Sequence, residues 1–415
     1  YWDGSSWVYS DTFQILPPLS DDPGGLGPIV VAHPGNWWAI GSEPDRGPDP
    51  GSPDLGYQDA TFPDIYAQAY HDVYHFIRER DPNARIGPGG LVEVTPGRIQ
   101  YLDLFWEAYQ AAYGTTVPAD FWTFHLYILP EANPAGEPNG VANIALGTDP
   151  GLAMRESGGN PALCHNPDND VYCWADHDDL NLFDQQVRRM RQWLKDHGLQ
   201  ELPLWLTEWS ILYPRDLLDE YGNSFSPERV THWLTATLDY LNTASDPLLG
   251  QPGDRGRLVQ RVGWYSLYTS EELARVSNLV TPTASFTFTM PGWAFVDYLH
   301  TYSKTANLQA RRALSSTLRV SPAGPVTATI GLVAVNNGDV ALPFPITVTW
   351  YADPTLTVPI ASQVVSSWPG CGTGLLLTDT WVLSGIGPHD YWAVSYTHLR
   401  AHETPEHLVC RLLLE

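Results

Sequence analysis

The sequence predicts an α/β protein: a (β/α)8 barrel of TIM type, incomplete at its N-terminus, followed by a small antiparallel β-sandwich. Three observations carry this expectation. Apolar segments of strand length alternate with amphipathic helical segments up to about residue 305. The strand segments are apolar almost throughout, as parallel strands covered on both faces should be. Beyond Leu308 helical periodicity gives way to short Val/Thr-rich stretches punctuated by turn residues.

The elements follow in order. TFQILPPL (12–19) reads as a buried strand, with a short helix around 27–32. WWAIGSEPD (37–45) is a strand that runs into polar residues. Segment 65–80 is an amphipathic helix, with Ile65, Ala69, Val73, Phe76 and Ile77 on one face, and Asp81-Pro82 stops it. Strands at 84–92 and 121–129 flank a helix at 102–113. A loop of some fifty residues follows, rich in Gly, Pro and Asn, and loops of that length inside a domain are usually functional. A helix at 180–197 repeats Leu180, Phe183, Val187, Met190 and Leu194, with Asp178 or Asp179 as its N-cap. Strand 202–212, helix 230–242, strand 257–268 and helix 293–302 complete the alternation.

Repeated strand–helix–strand units imply parallel pairing, and a barrel of about 250 residues is the usual closed solution. Six strands are legible, so about two are expected to be missing from the front. The expected domains are therefore a barrel at 1–305 and an immunoglobulin-like sandwich at 306–393. In the second, PVTATIGLVAVNNG and FPITVTWYAD alternate small and β-branched residues, and Asn336-Asn337-Gly338 marks a turn. The last stretch, 394–415 (VSYTHLRAHETPEHLVCRLLLE), departs abruptly in composition and resembles a translated sequencing-library adaptor. With the missing initial Met, it leads to the expectation that the chain is a fragment of an environmental sequence.

Composition excludes several classes. With 22 Lys+Arg against 47 Asp+Glu and a net charge of −25, the surface repels phosphate backbones, so no nucleic-acid partner is expected. No apolar run reaches transmembrane length. Of 4 Cys, Cys164 and Cys173 share one short loop and either pair across it or stay free thiols. No zinc spacing, phosphate loop or Gly-x-Ser-x-Gly elbow occurs, and no cofactor or metal is expected. The run Asp176-His177-Asp178-Asp179 resembles a metal cluster, but reads better as helix capping with first-turn acids facing the helix dipole.

The chemistry sits at strand ends, where barrels carry their catalytic residues. Two strands end in a glutamate: Glu43 in AIGSEPD and Glu208 in LWLTEWS. A pair of carboxylates suits glycoside hydrolysis, one donating a proton to the leaving oxygen and the other attacking the anomeric carbon or activating water. His125 and Tyr127 alternate onto one face of their strand, where they can hydrogen-bond Glu208 or a sugar. Trp209 at a strand end and Trp174 in the long loop are expected to bind sugar faces; Trp37, Trp38, Trp122 and Trp205 read as core. Asp45 and Arg46 can form a local ion pair that orients the Glu43 loop, or stand solvated.

The ordered set resembles the large clan of retaining glycosidases on (β/α)8 barrels. That clan carries an Asn-Glu-Pro acid/base at the end of its fourth strand and a Thr-Glu-Trp or Thr-Glu-Phe nucleophile at the end of its seventh. The chain is similar above all to bacterial members with a Gly-Asn-Glu-Pro-Asp motif and a C-terminal β-module; the latter resembles CARDB-like adhesion modules. The resemblance implies Glu43 as acid/base, Glu208 as nucleophile and Trp264 as the floor of the subsite for the reacting sugar. It implies an oligo- or polysaccharide substrate, an extracellular or cell-surface location, and attachment through the C-terminal module.

Ser42 departs from the pattern. The clan has Asn there, bonding the sugar 2-hydroxyl, an interaction that strengthens in the transition state. Serine is shorter, so slow catalysis is expected. The rival expectation is a non-catalytic glycan-binding or cell-surface module that has kept the cleft and lost the chemistry.

Overall fold

A computed structural model of the chain describes residues 15–46, 60–131, 142–282, 286–301, 308–315, 326–336, 340–342, 345–370, 373–383, 389–396 and 408–412. The chain divides into two compact units, Tyr1–His300 and Thr301–Glu415.

The first unit is mixed α/β. Its elements are α1 (Leu26–Ala32), β1 (Trp37–Ile40), α2 (Pro63–Arg80), β2 (Arg85–Pro88), α3 (Pro96–Tyr113), β3 (Trp122–His125), β4 (Arg155–Glu156), β5 (Val171–Tyr172), α4 (Leu180–Asp196), β6 (Leu204–Trp209), α5 (Pro227–Thr243), β7 (Arg261–Trp264), β8 (Val280–Thr281), β9 (Thr287–Phe288) and α6 (Met290–Thr301). Helices α3, α4 and α5 each start at a side chain that satisfies free N–H groups of the first turn. Thr95 Oγ1 accepts from Arg98 N at 3.4 Å ahead of α3, Asp179 from Asn181 N and Leu182 N ahead of α4, and Ser226 from Arg229 N ahead of α5. Each of α2, α3 and α5 has a proline in its first turn, where no N–H is needed.

The strands pair in parallel. β1 pairs β2, with Trp37 opposite Arg85 and Ile40 opposite Pro88; β3, β6 and β7 form a second ladder. Hydrogen bonds from Asp120 N to Ile86 O and from His125 N to Leu91 O, each 2.8 Å, link the β2 and β3 segments. The spatial order is thus the chain order, with a helix between successive strands. The surface curves: from the starts of the strands, Trp37 packs on Phe121 and Trp205, with the Arg261 guanidinium 5.2 Å from the Trp37 ring and 4.6 Å from the Trp205 ring. Among the described residues no ladder joins β7 back to β1, so the sheets do not form a closed barrel. The strand expected at 12–19 is not found: 15–19 is irregular, and 12–14 lies outside the described residues.

The second unit holds two antiparallel sheets. Its strands are β10 (Leu308–Ser315), β11 (Val326–Asn336), β12 (Ile346–Tyr351), β13 (Pro359–Val365), β14 (Thr373–Leu383), β15 (His389–Tyr396) and β16 (Leu408–Leu412). They order as β10–β11–β14 and β13–β12–β15–β16. Ile330, Leu332, Ile346, Val348, Trp350, Trp368 and Tyr391 share one core, and the buried Tyr391 hydroxyl donates to Gly331 O at 2.9 Å. Of the segment read as adaptor-derived, 394–396 continues β15 and 408–412 forms β16. Among the described residues no helix is long and apolar enough to cross a membrane.

Candidate active site

Parallel strands aim all their carboxyl ends at one edge, and the predicted residues sit there. Glu43 lies three residues beyond the end of β1. His125 is the last residue of β3, and Tyr127 lies two further on. Glu208 lies next to the end of β6, directly opposite His125 in the register. Trp264 ends β7, opposite Trp209.

Glu43 stands in a tight turn. Gly41 has φ +88° and Glu43 itself φ +48°, a left-handed conformation that costs a side-chain-bearing residue about 1–2 kcal/mol. The turn is held by Glu43 N donating to Gly90 O at 2.8 Å and Arg46 N donating to Glu43 O at 3.0 Å. Gly90 is required on its other side as well: a Cβ there would stand 2.7 Å from His125 Cδ2. That close approach seats the imidazole against Glu43.

The two carboxylates meet at His125. His125 Nδ1 lies 2.8 Å from Glu43 Oε1 and 3.6 Å from Glu208 Oε2. One oxygen of each glutamate and a ring nitrogen of His125 all fall within 4.8 Å of one another. Tyr127 donates its hydroxyl to Glu208 Oε2 at 3.1 Å. Glu43 and His125 are buried, whereas the Glu208 side chain keeps 31% of its surface open.

Burial raises a carboxyl pKa and an adjacent cation lowers it. At Glu43 burial is the largest influence, but the His125 hydrogen bond and the charges of His125, Arg46 and Arg98 outweigh it, so the pKa is lowered. At Glu208 burial prevails over His125, Glu43 adds to it, and the pKa is raised. Burial opposes charge on His125, yet the Glu43 hydrogen bond and the nearby carboxylates raise its pKa. The free site thus favours a charged Glu43–His125 pair.

The remaining predicted residues divide. Trp264 is half-buried; its indole N–H donates to Ser277 O at 2.8 Å, leaving the ring partly open. Trp209 corrects the expectation that it binds sugar. It is fully buried, donates to Thr237 Oγ1 at 3.0 Å and supports Trp264 edge-on at 5.4 Å. Ser42 is exposed at the turn. Tyr127 is only 2% exposed and acts on Glu208 rather than at the surface.

Behind Glu43 lies a cluster missed in the sequence. Asp45 pairs with Arg98, not with Arg46; Arg46 instead reaches Glu43, at 4.0 Å. Arg98 also lies 3.0 Å from Glu131 and 3.8 Å from Glu93, and it donates to Asn143 O at 2.7 Å. Asp45, Glu93 and Arg98 are completely buried and Glu131 nearly so. Burial, with the charge of Glu131, drives Glu93 well above the carboxylate range. The available signal was Glu93 itself, an acid inside the apolar run Leu91-Val92-Glu93-Val94.

In the long loop Cys164 and Cys173 form a disulfide. The acidic run beyond it divides its work. Asp179 caps α4, Asp178 pairs with Arg229, and Asp176 accepts from Cys173 N and His165 N. Among the described residues, two groups have donors free to hold a metal ion, Glu43–His125–Glu208 and His165–Asp176–Asp179; a third, Cys164–Cys173–Glu220, has its sulfurs joined in the disulfide.

No protein-family model matches the chain, and neither does any curated protein. Among solved structures it is similar to a Paenibacillus polymyxa xyloglucanase of glycoside hydrolase family 44 with xyloglucan (12% identity over 91% of this chain and 74% of that one, TM-score 0.33). It is also similar to a Bacteroides uniformis β-glucuronidase (10% identity over 87% of this chain and 32% of that one, TM-score 0.32). A third similarity is to a CARDB domain from Pyrococcus furiosus in complex with di-metal ions (16% identity over 28% of this chain and 100% of that one, TM-score 0.21).

Proposed function

We propose that the chain is a glycoside hydrolase that cleaves a β-linked glycan by a two-step retaining mechanism. The observation that carries this reading is the meeting of the Glu43 and Glu208 carboxylates, oxygens within 4.8 Å, at the carboxyl edge of parallel strands. Retaining enzymes hold their two carboxyl groups about 5–5.5 Å apart, whereas inverting ones need roughly 6.5–9.5 Å to admit a water.

In the first step Glu208 attacks the anomeric carbon as the glycosidic C–O bond breaks, and Glu43 gives its proton to the leaving oxygen. In the second, water attacks the glycosyl-enzyme, Glu43 takes the water's proton, and Glu208 departs as carboxylate. No cofactor enters either step. The proton for the first step is stored on the Glu43–His125 pair, across their 2.8 Å hydrogen bond. Tyr127 orients Glu208, and Trp264 offers the partly open ring beneath the reacting sugar.

The curved parallel strands support a (β/α)8 barrel of which β1, β2, β3, β6 and β7 are consecutive members. The two antiparallel sheets with a shared core support a β-sandwich appended to it. An extracellular or cell-surface setting accords with the disulfide, since such bonds persist in oxidising compartments.

A second reading exchanges the roles. The lowered Glu43 and raised Glu208 favour Glu208 as the proton donor and Glu43 as the nucleophile. Covalent trapping decides. The protein is incubated with a panel of activated 2-fluoro glycosides and epoxide sugars, and its peptides are mapped by mass spectrometry. A label on Glu208 is expected. A label on Glu43 establishes the exchanged roles. Glycan binding with no label on either residue overturns the enzyme reading in favour of a binding module.

A further inference from the structure

The buried cluster behind Glu43 has its own logic. Three carboxyl groups, Asp45, Glu93 and Glu131, surround one guanidinium. Each belongs to a different segment: Asp45 to the turn after β1, Glu93 to the stretch after β2, Glu131 to the stretch after β3, and Arg98 to the first turn of α3. Buried charges of this kind are costly unless each is paired and hydrogen-bonded. The pairing here is directional. Arg98 Nη1 donates to Asp45 Oδ2, Nη2 donates to Asn143 O at 2.7 Å, and Nε faces Glu131 Oε1 at 3.0 Å. Glu131 also accepts from Thr95 Oγ1 at 3.0 Å and from Met154 N at 2.8 Å. Asp45 O accepts from Leu146 N at 3.0 Å.

This network ends two residues from Glu43, whose backbone is in a left-handed conformation that the surroundings must impose. A lysine could not replace the guanidinium, because an ammonium makes point contacts where the fork donates two hydrogen bonds in fixed directions, to Asp45 and to Asn143 O.

We propose that Arg98 is a positioning residue for Glu43, acting through Asp45 to fix the turn at which the carboxylate meets His125. The proposal rests on the reading of Glu43 as a reacting group. A metal at this cluster is not implied, because Arg98 already occupies its centre.

Removing Arg98 would strand three buried carboxyl groups and risks unfolding the unit, so the primary variant is Asp45→Asn, with Arg98→Lys as the second. Three quantities are measured on each folded variant: kcat and KM, the pH–rate profile, and hydrogen exchange of the backbone amides at 41–46. For Asp45→Asn the expected result is a loss in kcat of about 10²-fold with KM nearly unchanged, since a small misplacement of a reacting group is that costly. Exchange at 41–46 rises by roughly tenfold or more, while β3 and β6 keep their protection.

The profile adds a readout that a merely structural role would not move. The charged groups nearest Glu43 are His125, Arg46, Arg98, Asp45 and Glu208. Asp45→Asn removes an anion and moves the limb belonging to Glu43 to lower pH, whereas an Arg98 variant that displaces the cation moves it to higher pH. Full activity with unchanged exchange at 41–46 in folded Asp45→Asn overturns the proposal. If the wild-type protein shows no turnover and no label, the glycosidase reading fails instead. Hydrogen exchange then still decides whether Asp45 and Arg98 hold the turn.

Discussion

His125 Nδ1 lies 2.8 Å from Glu43 Oε1, and it is the only group among the described residues that stands within ion-pair distance of both the Glu43 and the Glu208 carboxylates. A neutral bridge would leave only the charges of Arg46 and Arg98 to oppose the burial of Glu43. A charged one holds Glu43 low and restrains the rise at Glu208. In the proposed mechanism the imidazole is therefore the proton reserve of the site.

His125→Asn tests this directly. Losing the cation raises both carboxyl pKa values, because burial then acts on each with less opposition. The whole bell of the pH–rate profile is expected to shift to higher pH, with kcat falling by about 10²-fold. An unmoved bell would mean that His125 is neutral and serves only as packing.

Ser42→Asn makes the opposite prediction, a gain. Ser42 is exposed at the turn beside Glu43, where an amide could reach a sugar hydroxyl that the shorter serine cannot. A hydrogen bond that strengthens in the transition state is worth several kcal/mol, so kcat should rise by roughly tenfold or more. Activity unchanged or lower in Ser42→Asn would show that the serine is not what limits this site.

The site residues were legible because strand ends announce themselves: an apolar run that stops at Glu43 or Glu208 has few structural uses for the acid. His125 and Tyr127 followed from strand alternation. Trp209 misled because position along a strand does not reveal which side of the sheet faces α5. Arg98 was invisible for a different reason. The helix is expected only from 102, yet α3 starts at Pro96 behind its Thr95 cap, so the arginine fell outside the expected helix. Its partner Asp45 is remote in sequence, and the neighbouring Arg46 offered a simpler but incorrect pairing. The parallel order of the strands could be inferred from alternation with helices. Closure could not, because it depends on edge pairing, for which local sequence carries no signal. The disulfide stayed open in the sequence, since a ten-residue loop permits a bond without requiring one.

The final prediction concerns stability. His177 is buried, with Nδ1 2.8 Å from Ile128 O and Nε2 accepting from Leu212 N at 2.9 Å. One ring nitrogen donates and the other accepts, which is possible only for neutral imidazole. Burial lowers its pKa from 6.5 to about 4. Between those values the unfolded chain binds a proton that the folded protein does not, so stability rises with pH through this window and falls on acidification. The full loss by about pH 4 is on the order of 3 kcal/mol. Urea unfolding of the wild-type protein at pH 7 and at pH 4.5 should therefore show a large fall. In His177→Gln, less stable at pH 7 because one of the two bonds is weakened, the part of that fall due to this residue should vanish. An identical pH dependence in the two proteins would mean that His177 is already charged in the fold, contrary to its hydrogen bonds.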